Sequence, residues 1–92
     1  EVSAPDWYLY VLRCADGSFY AGITTDPKRR LDEHNTSARG ARYTRARRPV
    51  ELIKSWRVPD RSTATKREMA FKRLSRDQKI AVLKGLRSLD GQ

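Results

Sequence analysis

One cysteine, Cys14, stands among 92 residues, so the chain can close no internal disulfide. That usage fits a reducing compartment. No run of eighteen apolar residues occurs, which removes the sequence requirement for a membrane-crossing helix. The stretch Glu1 to Asp6 is polar and no signal-like apolar core follows, so no secretory signal is expected, and an opening on Glu1 implies a trimmed or processed start. No helix pattern pairs a large apolar face with a basic one, which argues against a membrane surface as partner. Internal repeats and low-complexity tracts are missing. Acidic residues are scarce: eleven Asp and Glu face twenty Lys and Arg.

What is present follows from that imbalance. The net charge is +9, carried mainly by arginine, and a basic domain of this kind is suited to a polyanion. Hydrophobic residues make up 38%, enough for one modest core, so residues 1–92 are expected to form a single domain with a core from about 7 to 86.

Trp7 to Arg13 is rich in aromatic and branched residues and reads as a strand buried on both faces. Ser18 to Ile23 reads as its antiparallel partner across Asp16-Gly17. A two-residue loop there would set Tyr10 and Tyr20 on opposite faces. A three-residue loop, Ala15-Asp16-Gly17, opposes Leu12 to Tyr20, places Gly17 in a left-handed bulge and makes Tyr10 and Tyr20 diagonal neighbours on one face. The three-residue loop is the expectation. Asp26-Pro27 opens a helix to about Asn35. Ser37 to Arg48 reads as a basic loop, Val50 to Val58 as a third strand, and Ser62 to Leu74 as a second helix. Ser75 and Gln78 form a capping box that opens a third helix to about Leu86, and Ser88 to Gln92 are expected to fray. The fold class is therefore α+β: a small three-stranded antiparallel sheet flanked by helices, in the order β-β-α-β-α-α.

The tracts Tyr8-Leu9-Tyr10 and Tyr20-Ala21-Gly22, an arginine in Arg29-Arg30-Leu31 and a glutamate in Thr65-Lys66-Arg67-Glu68 occur in that order. Together they resemble the GIY-YIG nuclease family, over about Trp7 to Leu83. The stretch Tyr20 to His34, with Ala41-Arg42-Tyr43-Thr44 and Arg48-Pro49, looks most like its compact single-domain bacterial branch. Three positions depart from the pattern: Tyr8 replaces a glycine, Ala21 replaces an isoleucine, and Ile23 stands where some relatives carry lysine.

The resemblance implies a metal-dependent DNA endonuclease with Tyr10, Tyr20, Arg30, His34 and Glu68 as catalytic residues; the single cysteine suits a cytoplasmic setting. One tyrosine would take a proton from the attacking water and the other would position water or phosphate; the sequence leaves the division open, with Tyr10 the preferred base. A phenol has a reference pKa near 10, so it needs cations nearby; Arg13, Arg29 and Arg30 are candidates. Arg30 can grip a phosphate bidentately. His34, four residues on, shares its helix face and could donate to phosphate or relay a proton, or could simply be a surface histidine. Glu68 would hold Mg²⁺ or Mn²⁺ with waters and phosphate completing the shell, or form an ordinary i,i+4 pair with Lys72.

Nucleic-acid contacts are expected from Arg13, Arg29, Asn35, Arg39, Arg42, Tyr43, Arg45, Arg47, Arg48 and Lys72. The arginines of the loop with Tyr43 among them suit phosphate contacts plus stacking of an unpaired base, so single-stranded, flapped or branched DNA is favoured and RNA stays open. Five such phosphate contacts would give a log K against log salt slope of roughly −3.5 on a single strand. A monomer is the default. The alternatives are a non-catalytic nucleic-acid-binding module that keeps the fold, and an interaction domain whose basic face binds an acidic protein.

Overall fold

A computed structural model describes residues 6–87. Three strands, β1 (Trp7–Arg13), β2 (Phe19–Thr24) and β3 (Glu51–Val58), form one antiparallel sheet in the order β2-β1-β3. β1 is central, and Leu9, Tyr10, Val11 and Leu12 are all buried, as a strand covered on both faces requires. Leu12 lies opposite Tyr20, Cys14 N–H donates to the Ser18 carbonyl at 2.8 Å, and Gly17 has φ +84°. The three-residue loop is thus the one observed, with glycine at the position a side chain would strain. Asp16 closes it by accepting from the Ser18 backbone (3.0 Å) and hydroxyl (2.6 Å).

Helices cover both faces. Between β2 and β3 run α1 (Pro27–Thr36) and the single turn α2 (Arg42–Arg45); after β3 come α3 (Arg61–Lys72) and α4 (Arg76–Leu83). Local chemistry sets their starts. Asp26 accepts from Arg29 N–H with Pro27 in the first turn, Asp60 accepts from Thr63 N–H, and Ser75 and Gln78 close a reciprocal capping box. α4 stops at Leu83, short of the expected Leu86, because Gly85 (φ +76°) turns the chain left-handed. Leu86 N–H then reaches the Ala81 carbonyl, and Gly85 N–H reaches that of Val82. α2 departs from the expected continuous loop. The expectation for Ser88 to Gln92 concerns residues outside those described.

The two layers differ in content. Against α1 lie Tyr10, Leu12, Cys14 and Val50, with Tyr20, Leu31 and Leu52 packed on them. Against α3 and α4 lie Leu9, Val11, Ala21, Phe71 and Val82, with Phe19, Ile53, Trp56, Leu74 and Leu83. β3 carries a bulge where it faces Val11 and Leu12.

Candidate active site

Alternation along β1 and the Leu12–Tyr20 register send both phenols to the α1 face. Tyr10 is opposite Gly22, and its ring lies so close to that backbone that a Cβ there would sit 2.5 Å from the hydroxyl oxygen. Glycine is therefore required for Tyr10 to occupy its position.

α1 brings His34 beneath the pair. His34 is fully buried, its ring 5.8 Å from that of Tyr10 and 5.1 Å, edge to face, from that of Tyr20. Nε2 is 2.8 Å from the Tyr10 hydroxyl and Nδ1 is 2.8 Å from the hydroxyl of Thr44, itself fully buried. The Thr44 hydroxyl proton has its own acceptor, the Ala41 carbonyl at 2.9 Å. Thr44 therefore accepts from Nδ1–H, and Nε2 accepts from Tyr10 O–H. The Ala41 N–H approach to Nδ1 would favour the opposite tautomer but is long, 3.4 Å, and is outweighed by the two short bonds. A surface histidine is thus ruled out, and so is direct contact with phosphate while both nitrogens are engaged.

Burial dominates the electrostatics. It pushes the Tyr10 phenol up to about 12, the Arg30 guanidinium beside it pulling the other way while the charges of Tyr20 and Glu68 push further up. Burial, with Arg30 and Arg48 nearby, lowers His34 to about 4 against a weaker opposite pull from Glu33. The imidazole is neutral across the physiological range.

Arg30 is held in place: Nη1 donates to Glu33 Oε1 at 2.9 Å and to the Arg39 carbonyl at 2.8 Å. That carbonyl reaches Arg30 because Gly40 packs directly on α1; a Cβ on Gly40 would meet the Glu33 carbonyl oxygen at 2.8 Å and the His34 Cα at 2.9 Å. On the opposite helix layer Glu68 faces Lys72, Nζ to Oε2 3.4 Å, and the same Nζ stands 5.9 Å from the Tyr20 ring centre. Tyr10, Tyr20, Arg30, His34 and Glu68, drawn from four segments, are thus brought together.

Tyr43, on α2, stacks on Tyr20 with ring centres 6.0 Å apart and planes 26° from parallel. The Arg47 guanidinium lies over the Tyr43 ring at 3.9 Å and also donates to Asp16 at 3.0 Å and to the Tyr43 carbonyl at 3.0 Å. A base stacking on Tyr43 would compete with Arg47 and Tyr20 for its ring.

Several expected nucleic-acid contacts are placed elsewhere. Arg13 follows strand alternation away from the phenols and pairs with Glu51, so it adds nothing to the field at Tyr10. Asn35 donates to the Val50 carbonyl (2.9 Å) and accepts from the Val50 N–H (2.8 Å), tying α1 to the start of β3. Arg48 donates to the carbonyls of His34 (2.6 Å) and Ser37 (2.7 Å), satisfying the open end of α1. Of the five loop arginines only Arg39, Arg42 and Arg45 are exposed. Sequence reasoning assigned no role to Thr44, Glu33, Gly22 or Gly40. Thr44 sits in Ala41-Arg42-Tyr43-Thr44, already quoted for the resemblance, which was the available signal.

Among the described residues no three His, Cys, Asp or Glu side chains gather into a metal cluster. One carboxylate, Glu68, close enough for its charge to act on Tyr10, is a donor set that fits a hard divalent ion completed by waters and phosphate.

The class these features define is a small α+β domain in which a buried phenol, a guanidinium and a carboxylate meet at one edge of a three-stranded sheet. The model of the GIY-YIG catalytic domain matches residues 6–81, and the chain belongs to that family. A UPF0213 protein of Desulfotalea psychrophila is 52% identical over 84 residues, covering 91% of this chain and 76% of that one. A UPF0213 protein of Enterococcus faecalis is 58% identical over 79 residues, covering 84% and 89%. The solution NMR structure of the UPF0213 protein from Bacillus halodurans overlays with a TM-score of 0.57 at 42% identity, covering 86% and 83% of the two chains. That of a protein from E. faecalis gives 0.61 at 52% identity, covering 92% and 90%. These names state kinship and no reaction. The family match identifies a nuclease-type domain, a class that generally uses divalent metal ions and binds DNA. Among the described residues no helix is long and apolar enough to cross a membrane.

Proposed function

We propose that this chain is a metal-dependent DNA endonuclease that hydrolyses phosphodiester bonds, preferring single-stranded, flapped or branched DNA. The observation that carries the reading is the buried Tyr10 hydroxyl, 2.8 Å from a neutral His34 and beside Arg30. Tyr10 is the general base. Its oxygen takes a proton from the attacking water as its own proton passes to His34 Nε2, while Thr44 keeps Nδ1–H in register. In the free protein burial holds the phenol high, near 12, and the imidazole low, near 4, which disfavours proton transfer between them. The relay is therefore closed until an anionic phosphate enters and raises the proton affinity of the imidazole. Arg30 exchanges Glu33 and the Arg39 carbonyl for two phosphate oxygens and steadies the charge that builds there. Tyr20 positions the phosphate.

Glu68 would hold Mg²⁺ or Mn²⁺ once Lys72 turns to the nucleic acid. A divalent ion bound there supplies Lewis acidity towards the attacking water and the leaving oxygen. Arg29, Arg39, Arg42, Arg45 and Lys72 contact flanking phosphates, and the protein acts as a cytoplasmic monomer.

The experiment is a cleavage panel of single-stranded, duplex and branched DNA and RNA, each with Mg²⁺, Mn²⁺ or chelator. Cutting that stops with chelator and is lost in Glu68→Ala, with DNA binding kept, is the expected result. Glu68→Ala cutting at the wild-type rate overturns the metal role, and binding without cutting in either metal favours the non-catalytic module.

A further inference from the structure

A cleft of about 380 Å³ opens beside Tyr20, lined by Phe19, Tyr20, Ala21, Tyr43, Phe71, Lys72 and Lys79. It lies within the ~300–1,000 Å³ of ligand pockets and combines aromatic walls with two cations. The cations come from different helices. Lys72 Nζ stands 5.9 Å from the Tyr20 ring centre, and Lys79 Nζ stands 5.7 Å from that of Phe71. Lys72 has Glu68 as partner; Lys79, half-buried at the cleft wall, has no carboxylate within ion-pair distance among the described residues. Ala21 leaves the floor open. A larger side chain there, such as the isoleucine of the family tract, would take up volume at the cleft's floor.

We propose that this cleft is a subsite for one unpaired nucleotide next to the scissile phosphate, with the base against Phe19 and the Tyr43 edge and its phosphate between Lys72 and Lys79. The assignment rests on the nuclease reading of the neighbouring Tyr10 and Tyr20, and it makes Lys79 a binding residue. An ammonium above an aromatic wall offers phosphate and base contacts at the spacing of one nucleotide unit, and stacking tolerates any base because each has a π face. A base has to be unpaired to offer its face to the cleft, so the subsite favours single strands over intact duplex.

The test is equilibrium binding of a fluorescein-labelled hexathymidylate, and of the same backbone made base-free, in EDTA. It uses the full chain as wild type, Lys79→Ala, Lys79→Arg and Ala21→Ile, each checked for an unchanged circular dichroism spectrum. Wild type should prefer the base-containing strand by about 5-fold or more, the lower end of what stacking one base gives. Ala21→Ile should bring that ratio near one. Lys79→Ala should weaken both strands and flatten the log K against log salt slope by about 0.7, one phosphate contact, with Lys79→Arg restoring it. A wild type indifferent to the bases, or Lys79→Ala with unchanged affinity and slope, overturns the subsite. Should Ala21→Ile lose its fold, the Lys79 pair and the wild-type ratio still decide. A chain that binds in this way but never cuts overturns the hydrolytic reading alone, and one that cuts while Lys79→Ala binds like wild type overturns the subsite alone.

Discussion

Tyr10 and Val11 are neighbours on β1, both essentially without exposure, and they point to opposite faces of the sheet. On the α3 and α4 side burial is apolar throughout and serves stability. On the α1 side the same degree of burial encloses a phenol, an imidazole and a threonine hydroxyl, each hydrogen-bonded, and its main product is a pair of displaced pKa values. One thin sheet thus separates an apolar core from a hydrogen-bonded polar one, and α3 adds Glu68 and Lys72 to the candidate site from the apolar side. Substitutions on the two should dissociate stability from activity.

The sharpest break of that comparison is Phe71→Ala. Phe71 is buried on the apolar face, and its truncation should cost about 3–5 kcal/mol, read as a fall in the denaturant midpoint, a large share of a small domain's stability. Arg30→Ala should sit at the other extreme. Cleavage should fall about 10²–10³-fold, the usual consequence of removing one preorganised charge donor, while the midpoint moves little.

Between pH 7 and 4.5 acid should act chiefly through His34, before the capping carboxylates such as Asp60, also held below their ordinary values, titrate. His34 is near 4 when folded and near 6.5 when unfolded, so the unfolded chain binds the proton more tightly. The stabilisation is present in full above about pH 6.5 and is lost as pH falls from there to about 4. The amount is on the order of 3 kcal/mol. His34→Gln should abolish most of that slope in unfolding curves taken between pH 7 and 4.5. Wild type that unfolds equally easily at both ends of that range would mean that His34 is not buried neutral. The smallest effect is expected on the surface: Lys72→Ala should cost no more than about 0.5 kcal/mol of stability, because its pair with Glu68 is half exposed.

Features encoded by residues close together in sequence were legible. Asp16-Gly17 set the loop and therefore the register. Asp26-Pro27 and the Ser75 to Gln78 box set two helix starts, and each depends only on neighbours up to three residues apart. Register also carried the site, since opposing Leu12 to Tyr20 places both phenols on one face. The same alternation sends Arg13 to the other face, a consequence that was available in the sequence. The stop after Leu83 was available too, in Gly85.

What stayed hidden depends on distant contacts. α1 has only Leu31 and His34 at helical spacing to turn inward, so its apolar stripe was too sparse to mark His34 as buried. Thr44 lies in an arginine-rich stretch whose helical turn exists through packing against α1. Nothing local says that Asn35 will find Val50, or that Arg47 and Arg48 will be engaged within the chain. With three of the five loop arginines exposed, that loop's share of the single-strand salt slope falls from roughly −3.5 to about −2.

The most direct measurement is the single-turnover cleavage rate of Tyr10→Phe on single-stranded DNA in Mg²⁺, with DNA affinity measured on the same protein in EDTA. The substitution removes one oxygen and keeps the ring over Gly22. A rate lowered by about 10²–10⁴-fold at unchanged affinity is the predicted result. A rate within twofold of wild type would contradict the assignment of Tyr10 as the base.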